Sequence, residues 1–182
     1  MEIVETHFQH ALLLQPRLFE DHRGFFTESY NWKEFQKLGV SYSFIQDNLS
    51  FSAKAGTVRG LHFQKEPKAQ TKLIQVLKGA IYDVIVDLRV SSPTYKEWKG
   101  FILSEENHRQ LLVPKGFAHG FCTLVPNTLV MYKVDEYYSS DHDDGLYWND
   151  ESLAITWPVS EPILSEKDKA LPTFDQYHDC FK

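Results

Sequence analysis

Several stretches of the chain gather side chains able to move protons or hold anions. Val58-Arg59-Gly60-Leu61-His62-Phe63-Gln64 sets an imidazole in an alternating segment, with Lys72 following. If the segment is extended, Gly60, His62 and Gln64 share one face and Leu61 and Phe63 the other. His62 is then either a hydrogen-bonded core histidine or a base aimed into a cavity, because imidazole exchanges protons near neutrality. Asp21-His22-Arg23-Gly24-Phe25-Phe26-Thr27-Glu28 carries a guanidinium whose fork fits two phosphate oxygens at once. The plainer alternative is a surface turn with a solvated arginine. In Leu129–Tyr138, Tyr132 shares a face with Val130 and Val134. It reads as an aromatic residue on a core strand whose hydroxyl needs a partner if buried. Asp141-His142-Asp143-Asp144-Gly145 comes next, and Ser165-Glu166-Lys167-Asp168-Lys169 reads on its own as a solvated charge run.

The remaining imidazole of interest is His119, in Val113-Pro114-Lys115-Gly116-Phe117-Ala118-His119-Gly120-Phe121. Pro-x-Gly marks a turn that delivers His119 into a strand. In cupins an element of this form supplies one metal ligand, and the others come from an upstream His-x-His followed by Glu. Here the corresponding place reads His62-Phe63-Gln64. A three-histidine shell has no source, and no metal is expected.

Such residues need a scaffold, and punctuation along the chain points to short strands. Leu73–Leu77 precedes a Lys78-Gly79 turn, and Ala80–Leu88 resumes with two faces at period two: Ala80, Tyr82, Val84, Val86 and Leu88 against Ile81, Asp83, Ile85 and Asp87. Further runs at Trp98–Leu103, Gln110–Val113, Gly120–Leu124 and Leu129–Val134 are separated by Glu-Asn, Pro-Lys-Gly and Pro-Asn signals. Helical patterning is confined to Asn31–Leu38, with Asn31 as N-cap and Gly39 after the end, and to Ser165–Lys169. The expectation is an all-β, jelly-roll, cupin-like antiparallel sandwich or barrel with a few short helices. With no linker or repeat, residues 1–182 read as a single domain.

Composition bounds the partners. The 14% aromatic content suits strands and a ring-binding pocket. A net charge of −6 argues against a nucleic-acid surface. No apolar run is long enough for a membrane helix, and the acid-bearing N-terminus does not read as a signal peptide. Two cysteines, Cys122 and Cys180, form no disulfide framework and suit a reducing cytoplasm.

The motifs together resemble the dTDP-4-dehydrorhamnose 3,5-epimerase family over nearly the whole chain. The resemblance rests on D-x-R-G-x-F at Asp21–Phe26, Q-x-N at Gln46–Asn48, R-G-L-H-F-Q at Arg59–Gln64 and Gln70-Thr71-Lys72-Leu73. It continues through Val86-Asp87-Leu88-Arg89, P-x-G-F-A-H-G-F at Pro114–Phe121, and Ser165–Asp168. It implies a metal-free and cofactor-free cupin enzyme, a homodimer, acting on a dTDP-4-keto-6-deoxyhexose. The implied reaction takes dTDP-4-keto-6-deoxy-D-glucose to dTDP-4-keto-L-rhamnose. By the family's pattern His62 is the base, Asp168 its carboxylate partner, Tyr132 the acid on the opposite face of the sugar, and Lys72 the cation near the developing oxyanion. The resemblance thus overrides the solvated reading of Asp168. It puts Arg23, Glu28, Gln46, Asp47, Asn48, Arg59, His119, Tyr138, Asp143 and Lys169 among the substrate-binding positions. Asp143 stands where the family often has Glu. The role of Asp83 is left open.

Other readings compete with this one. Relatives that epimerise one carbon share much of the motif set, and the presence of Tyr132 favours the double epimerase. A non-catalytic sugar-nucleotide-binding cupin would be signalled by loss of His62 or Tyr132, and both are present. A metal-dependent dioxygenase or isomerase is opposed by the missing His-x-His.

Overall fold

The structure, a computed structural model, describes residues 1–177 and 181. The chain forms strands β1 (Glu2–His7), β2 (Ala11–Gln15), β3 (Phe19–Asp21) and β4 (Gly24–Phe26), then helix α1 (Trp32–Lys37). Strands β5 (Gln46–Ser52), β6 (Val58–Gln64), β7 (Lys72–Lys78), β8 (Ala80–Asp87) and β9 (Trp98–Ser104) follow. Then come β10 (Gln110–Val113), β11 (Phe117–Thr123), β12 (Thr128–Val134), β13 (Asp143–Gly145) and helix α2 (Glu166–Lys169).

Two antiparallel sheets face each other in a cupin-like jelly roll, one ordered β1-β2-β10-β7-β12-β5 and the other β13-β6-β11-β8-β9. Strands β3 and β4 make a separate hairpin. Leu13, Ile74, Val76, Leu111 and Val130 of the first sheet meet Ile81, Ile85, Leu103, Phe117 and Phe121 of the second. Burial of each such side chain contributes roughly 1.5–3 kcal/mol. The outer face of the second sheet is also covered, by a cluster that joins Leu61, Phe63, Val84 and Val86 to Leu146, Leu153 and Phe174. That double coverage explains why β8 carries aliphatic residues on both faces. On the first sheet, α1 drops Phe35 onto Leu12 and Leu14. Asn31 starts that helix by accepting from the backbone N–H groups of Lys33 and Glu34.

The all-β architecture and both short helices agree with expectation, and the second sheet's β11 begins earlier, at Phe117 rather than Gly120. Strands β1 to β5 carried no strand signal. In β1 nearly every residue is exposed, and β2 is buried on both faces, so neither shows period-two hydrophobicity. Cys122 is buried and unbridged, and burial raises its thiol to about 11; Cys180 lies outside the described residues. Among the described residues no helix is long and apolar enough to cross a membrane.

Candidate active site

Strands β6 and β11 bring the two imidazoles side by side, with His62 opposite His119 in the ladder. Their close approach depends on glycine. A Cβ on Gly60, which has φ +111°, would lie 2.7 Å from the His119 carbonyl and 2.7 Å from the Gly120 Cα. The glycines of R-G-L-H and A-H-G-F are therefore packing requirements of the strands that carry the histidines. As the alternation of β6 implies, Leu61 and Phe63 point into the outer core and His62 points the other way.

His62 Nε2–H donates to the Asp168 carboxylate at 2.6 Å. Asp168 sits on α2, almost fully buried, and Ser165 caps the helix by accepting from the Asp168 N–H at 3.1 Å. Burial works against this carboxylate's charge. The His62 bond and charge, the Ser165 bond and nearby Lys167 outweigh it and hold Asp168 below the usual carboxylate range. With Nε2–H committed to Asp168, Nδ1 keeps the free lone pair of a neutral His62.

The opposite wall comes from the first sheet. Tyr132 on β12 stands between Asn48 of β5 and Ile74 of β7, and Lys72 opens β7. Burial raises the Tyr132 phenol, and Asp143 adds to this while Arg59 opposes it, so the hydroxyl keeps its proton. Burial lowers Lys72 to about 8, against the attraction of Asp143 and Asp83. His62, Lys72, Tyr132 and Lys167 border two adjoining lobes of a cavity, of about 250 and 190 Å³. Ser50, Arg59, His119, Phe121, Ser165 and Asp168 complete the first lobe, and Gln46, Asn48, Gln64, Tyr138 and Asp143 help to line the second. Arg59 is braced by bonds from Nε to Ser52 Oγ (3.2 Å) and from Nη2 to the Phe51 carbonyl (2.9 Å). Asp143 accepts from Lys167 Nζ at 2.5 Å and from the Tyr138 hydroxyl at 3.0 Å.

Other expected site residues lie elsewhere in this chain. Lys169 points away and pairs with Glu166 at 2.6 Å, so it is Lys167, one residue before Asp168, that reaches the cavity. Asp47 takes the outward turn of the β5 alternation and pairs with Lys133 at 2.9 Å. Arg23 is on the β3–β4 hairpin, 78% exposed at its side chain and paired with Asp21. Glu28 lines a separate cavity of about 280 Å³ with Arg17, Phe19 and Asn31. Lys167 and Ser50 were not singled out from the sequence. The signal for Ser50 was the inverted alternation of β5, where Gln46, Asn48 and Ser50 face in and Leu49 and Phe51 face out. Among the described residues no group of three His, Cys, Asp or Glu side chains is placed to hold a metal.

A model of the family described as dTDP-4-dehydrorhamnose 3,5-epimerase matches residues 5–176. The dTDP-4-dehydrorhamnose 3,5-epimerase of Shigella flexneri is 47% identical over 169 residues, spanning 92% of this chain and 93% of that protein. Among solved structures, dTDP-4-dehydrorhamnose 3,5-epimerase from Bacillus anthracis, with TDP and PPi bound, matches with a TM-score of 0.94 and 72% identity. That match covers 95% of this chain and 99% of the other. The dTDP-6-deoxy-D-glucose-3,5-epimerase from Legionella pneumophila, in complex with dTDP-4-keto-L-rhamnose, matches with a TM-score of 0.91 and 41% identity, over 96% and 93% of the two chains.

Proposed function

This chain belongs to the dTDP-4-dehydrorhamnose 3,5-epimerase family, and from that premise we propose how its residues divide the reaction. It is an isomerase that inverts C3 and C5 of dTDP-4-keto-6-deoxy-D-glucose to give dTDP-4-keto-L-rhamnose. Both carbons flank the C4 ketone. When His62 Nδ1 takes the proton from either, the C–H pair becomes a C=C bond and the carbonyl π pair moves to O4. The Lys72 ammonium faces that oxyanion, and such a preset charge in a dry site is often the largest catalytic contribution. Asp168 fixes the His62 tautomer and stabilises the imidazolium that forms. Tyr132 then delivers a proton to the other face of the carbon and closes the C4 ketone again. Each inversion leaves His62 protonated and Tyr132 ionised; His62 gives its proton to solvent and Tyr132 takes one back before the next, so the cycle balances in protons and electron pairs without an external oxidant.

The observation that carries this reading is the placement of a carboxylate-backed imidazole and a proton-retaining phenol on opposing sheets around one cavity. One residue cannot take a proton from one face and return it to the other, so inversion needs two walls. The sugar lies at the junction of the lobes. Arg59 faces the pyrophosphate, and Gln46, Asn48, Tyr138, Asp143 and Lys167 hold the remaining polar groups. The catalytic unit is the whole chain as one domain, working in the cytoplasm, where nucleotide sugars are made.

The active form is a homodimer. Ile45, Leu49 and Phe51 expose 47%, 66% and 57% of their surface at the open edge of the first sheet, and Phe25 and Phe26 are similarly bare on the hairpin that carries Arg23. A second copy would cover this apolar surface. It would also allow Arg23 and Glu28 to serve a cavity other than their own chain's. Proton NMR in deuterium oxide, with the purified protein and dTDP-4-keto-6-deoxyglucose, tests the reaction. The expected result is deuterium at both C3 and C5 with inversion at both. Label at one carbon alone would assign the chain to the single-carbon epimerases.

A further inference from the structure

Strand β8 sets Asp83 between two isoleucines on its inner face. Ile81, Asp83 and Ile85 point the same way, and the two isoleucines belong to the core between the sheets. Asp83 is 0% exposed. Its Oδ1 accepts from His119 Nε2 at 2.5 Å, while the buried Oδ2 has no hydrogen-bond partner among the described residues. Stability alone gives little reason for such a pair, since burying a carboxylate with one oxygen unpartnered costs more than a single hydrogen bond returns. Its position gives a better one, because His119 lines the same lobe as Lys72.

The other charges around Lys72 are largely engaged with one another. Asp143 on β13 is bonded to Lys167 of α2, so its attraction for Lys72 is opposed by that ammonium. Asp168 of α2 is bonded to His62 of β6. Arg59 of β6, His119 of β11 and Tyr132 of β12 are the remaining titratable groups lining the lobe.

We propose that Asp83 is a positioning residue for the epimerisation: it holds the His119 imidazole by Nε2–H, leaving Nδ1 for the substrate, and sets a fixed negative charge that favours the Lys72 ammonium. The inference rests on Lys72 being the cation that faces O4. Burial has already brought Lys72 down to about 8, and Asp83 opposes that fall. Removing the Asp83 charge lets Lys72 lose its proton at a lower pH, nearer to neutrality.

The test is the pH dependence of kcat for deuterium exchange in the wild type, Asp83→Asn and Lys72→Arg. Asparagine keeps the shape and can still accept from Nε2–H but carries no charge. The wild-type rate is expected to fall on the alkaline side as Lys72 titrates. In Asp83→Asn that limb should move down by on the order of one pH unit, with kcat at neutral pH reduced more than KM is changed. A purely structural Asp83 would lower the melting temperature and leave the limb in place, and that outcome overturns the proposal. In Lys72→Arg the limb should vanish, because guanidinium stays charged. A limb persisting there would show that Lys72 is not the titrating group, and the proposal would fall with that reading of the site. If Asp83→Asn does not fold, 15N NMR of the wild type decides. A neutral His119 with its proton on Nε2 supports the proposal, and a proton on Nδ1 overturns it.

Discussion

Inversion at a carbon asks for a base on one face and an acid on the other, and His62 and Tyr132 stand on opposite walls of the cavity. His62 is hydrogen-bonded to a carboxylate, whereas Tyr132 is pushed toward its protonated form by burial. His62→Ala should therefore abolish deuterium incorporation at both C3 and C5 while dTDP still binds. Tyr132→Phe keeps the ring and its packing but removes the acid. Abstraction by His62 should continue, with deuterium returning to the original face, while inversion fails. Groups of this kind contribute on the order of 100- to 10,000-fold, so both defects are readily measured. Full inversion by Tyr132→Phe would return Tyr132 to the role of a packed aromatic. At this scale the sequence was informative where a side chain sits on a strand. The alternation of Arg59–Gln64 already put His62 opposite Leu61 and Phe63. On the single turn of α2 the pattern was silent, because adjacent residues diverge by about 100° and nothing in a charge run says which carboxylate turns inward; the resemblance alone picked Asp168, and it picked Lys169 in place of Lys167. The structure turns Asp168 in, brings Lys167 to the cavity and sends Lys169 to Glu166.

The elements differ in how plainly they announce themselves. Strand β8 showed its two faces because aspartates recur on one of them, and α1 showed its cap. Strand β5 hid because its pattern is inverted, with polar residues lining the cavity and apolar ones turned outward, as happens when a strand faces a substrate site rather than a core. The Val86-Asp87-Leu88-Arg89 motif also changes meaning once the elements are seen. It is a clamp at the end of β8, away from the cavity. Buried Asp87 accepts from Arg89 Nε at 2.8 Å, Arg89 Nη2 at 2.7 Å, Ser92 Oγ at 2.6 Å and Thr94 Oγ1 at 2.7 Å, and Arg89 also reaches the Phe8 carbonyl. Burial opposes the Asp87 charge, but these donors prevail and hold the carboxyl below its usual range. A depressed carboxyl contributes stability that is full above the unfolded pKa of about 3.9 and is lost as pH falls through the folded value. Asp87→Ala should thus cost about 3–5 kcal/mol at neutral pH, as for other broken buried pairs. Its loss of melting temperature below about pH 4 should be shallower than that of the wild type. An unchanged acid slope would shift the acid sensitivity to other depressed carboxyls such as Asp150 and Asp168.

The whole molecule raises a question that neither residue nor element answers, because Arg23 and Glu28, expected from the resemblance to bind substrate, lie outside the cavity of their own chain. The bare apolar surface offers a resolution. Leu49 and Phe51 are more than half exposed on an edge strand, a liability that soluble proteins usually cover or blunt with charge. If two copies meet there and bring hairpins to each other's cavities, oligomeric state and nucleotide affinity must change together. Light scattering and dTDP calorimetry on the double variant Leu49→Glu, Phe51→Glu check this. The wild type should be a dimer. The variant should be a folded monomer whose dTDP affinity falls by roughly 1.5–3 kcal/mol, the scale of one lost charged hydrogen bond. Arg23→Ala should lose a similar amount and remain a dimer, since among the described residues its guanidinium bonds within the exposed hairpin. A monomeric variant with wild-type dTDP affinity would restrict binding to residues of a single chain and leave Arg23 as a solvated arginine at a turn.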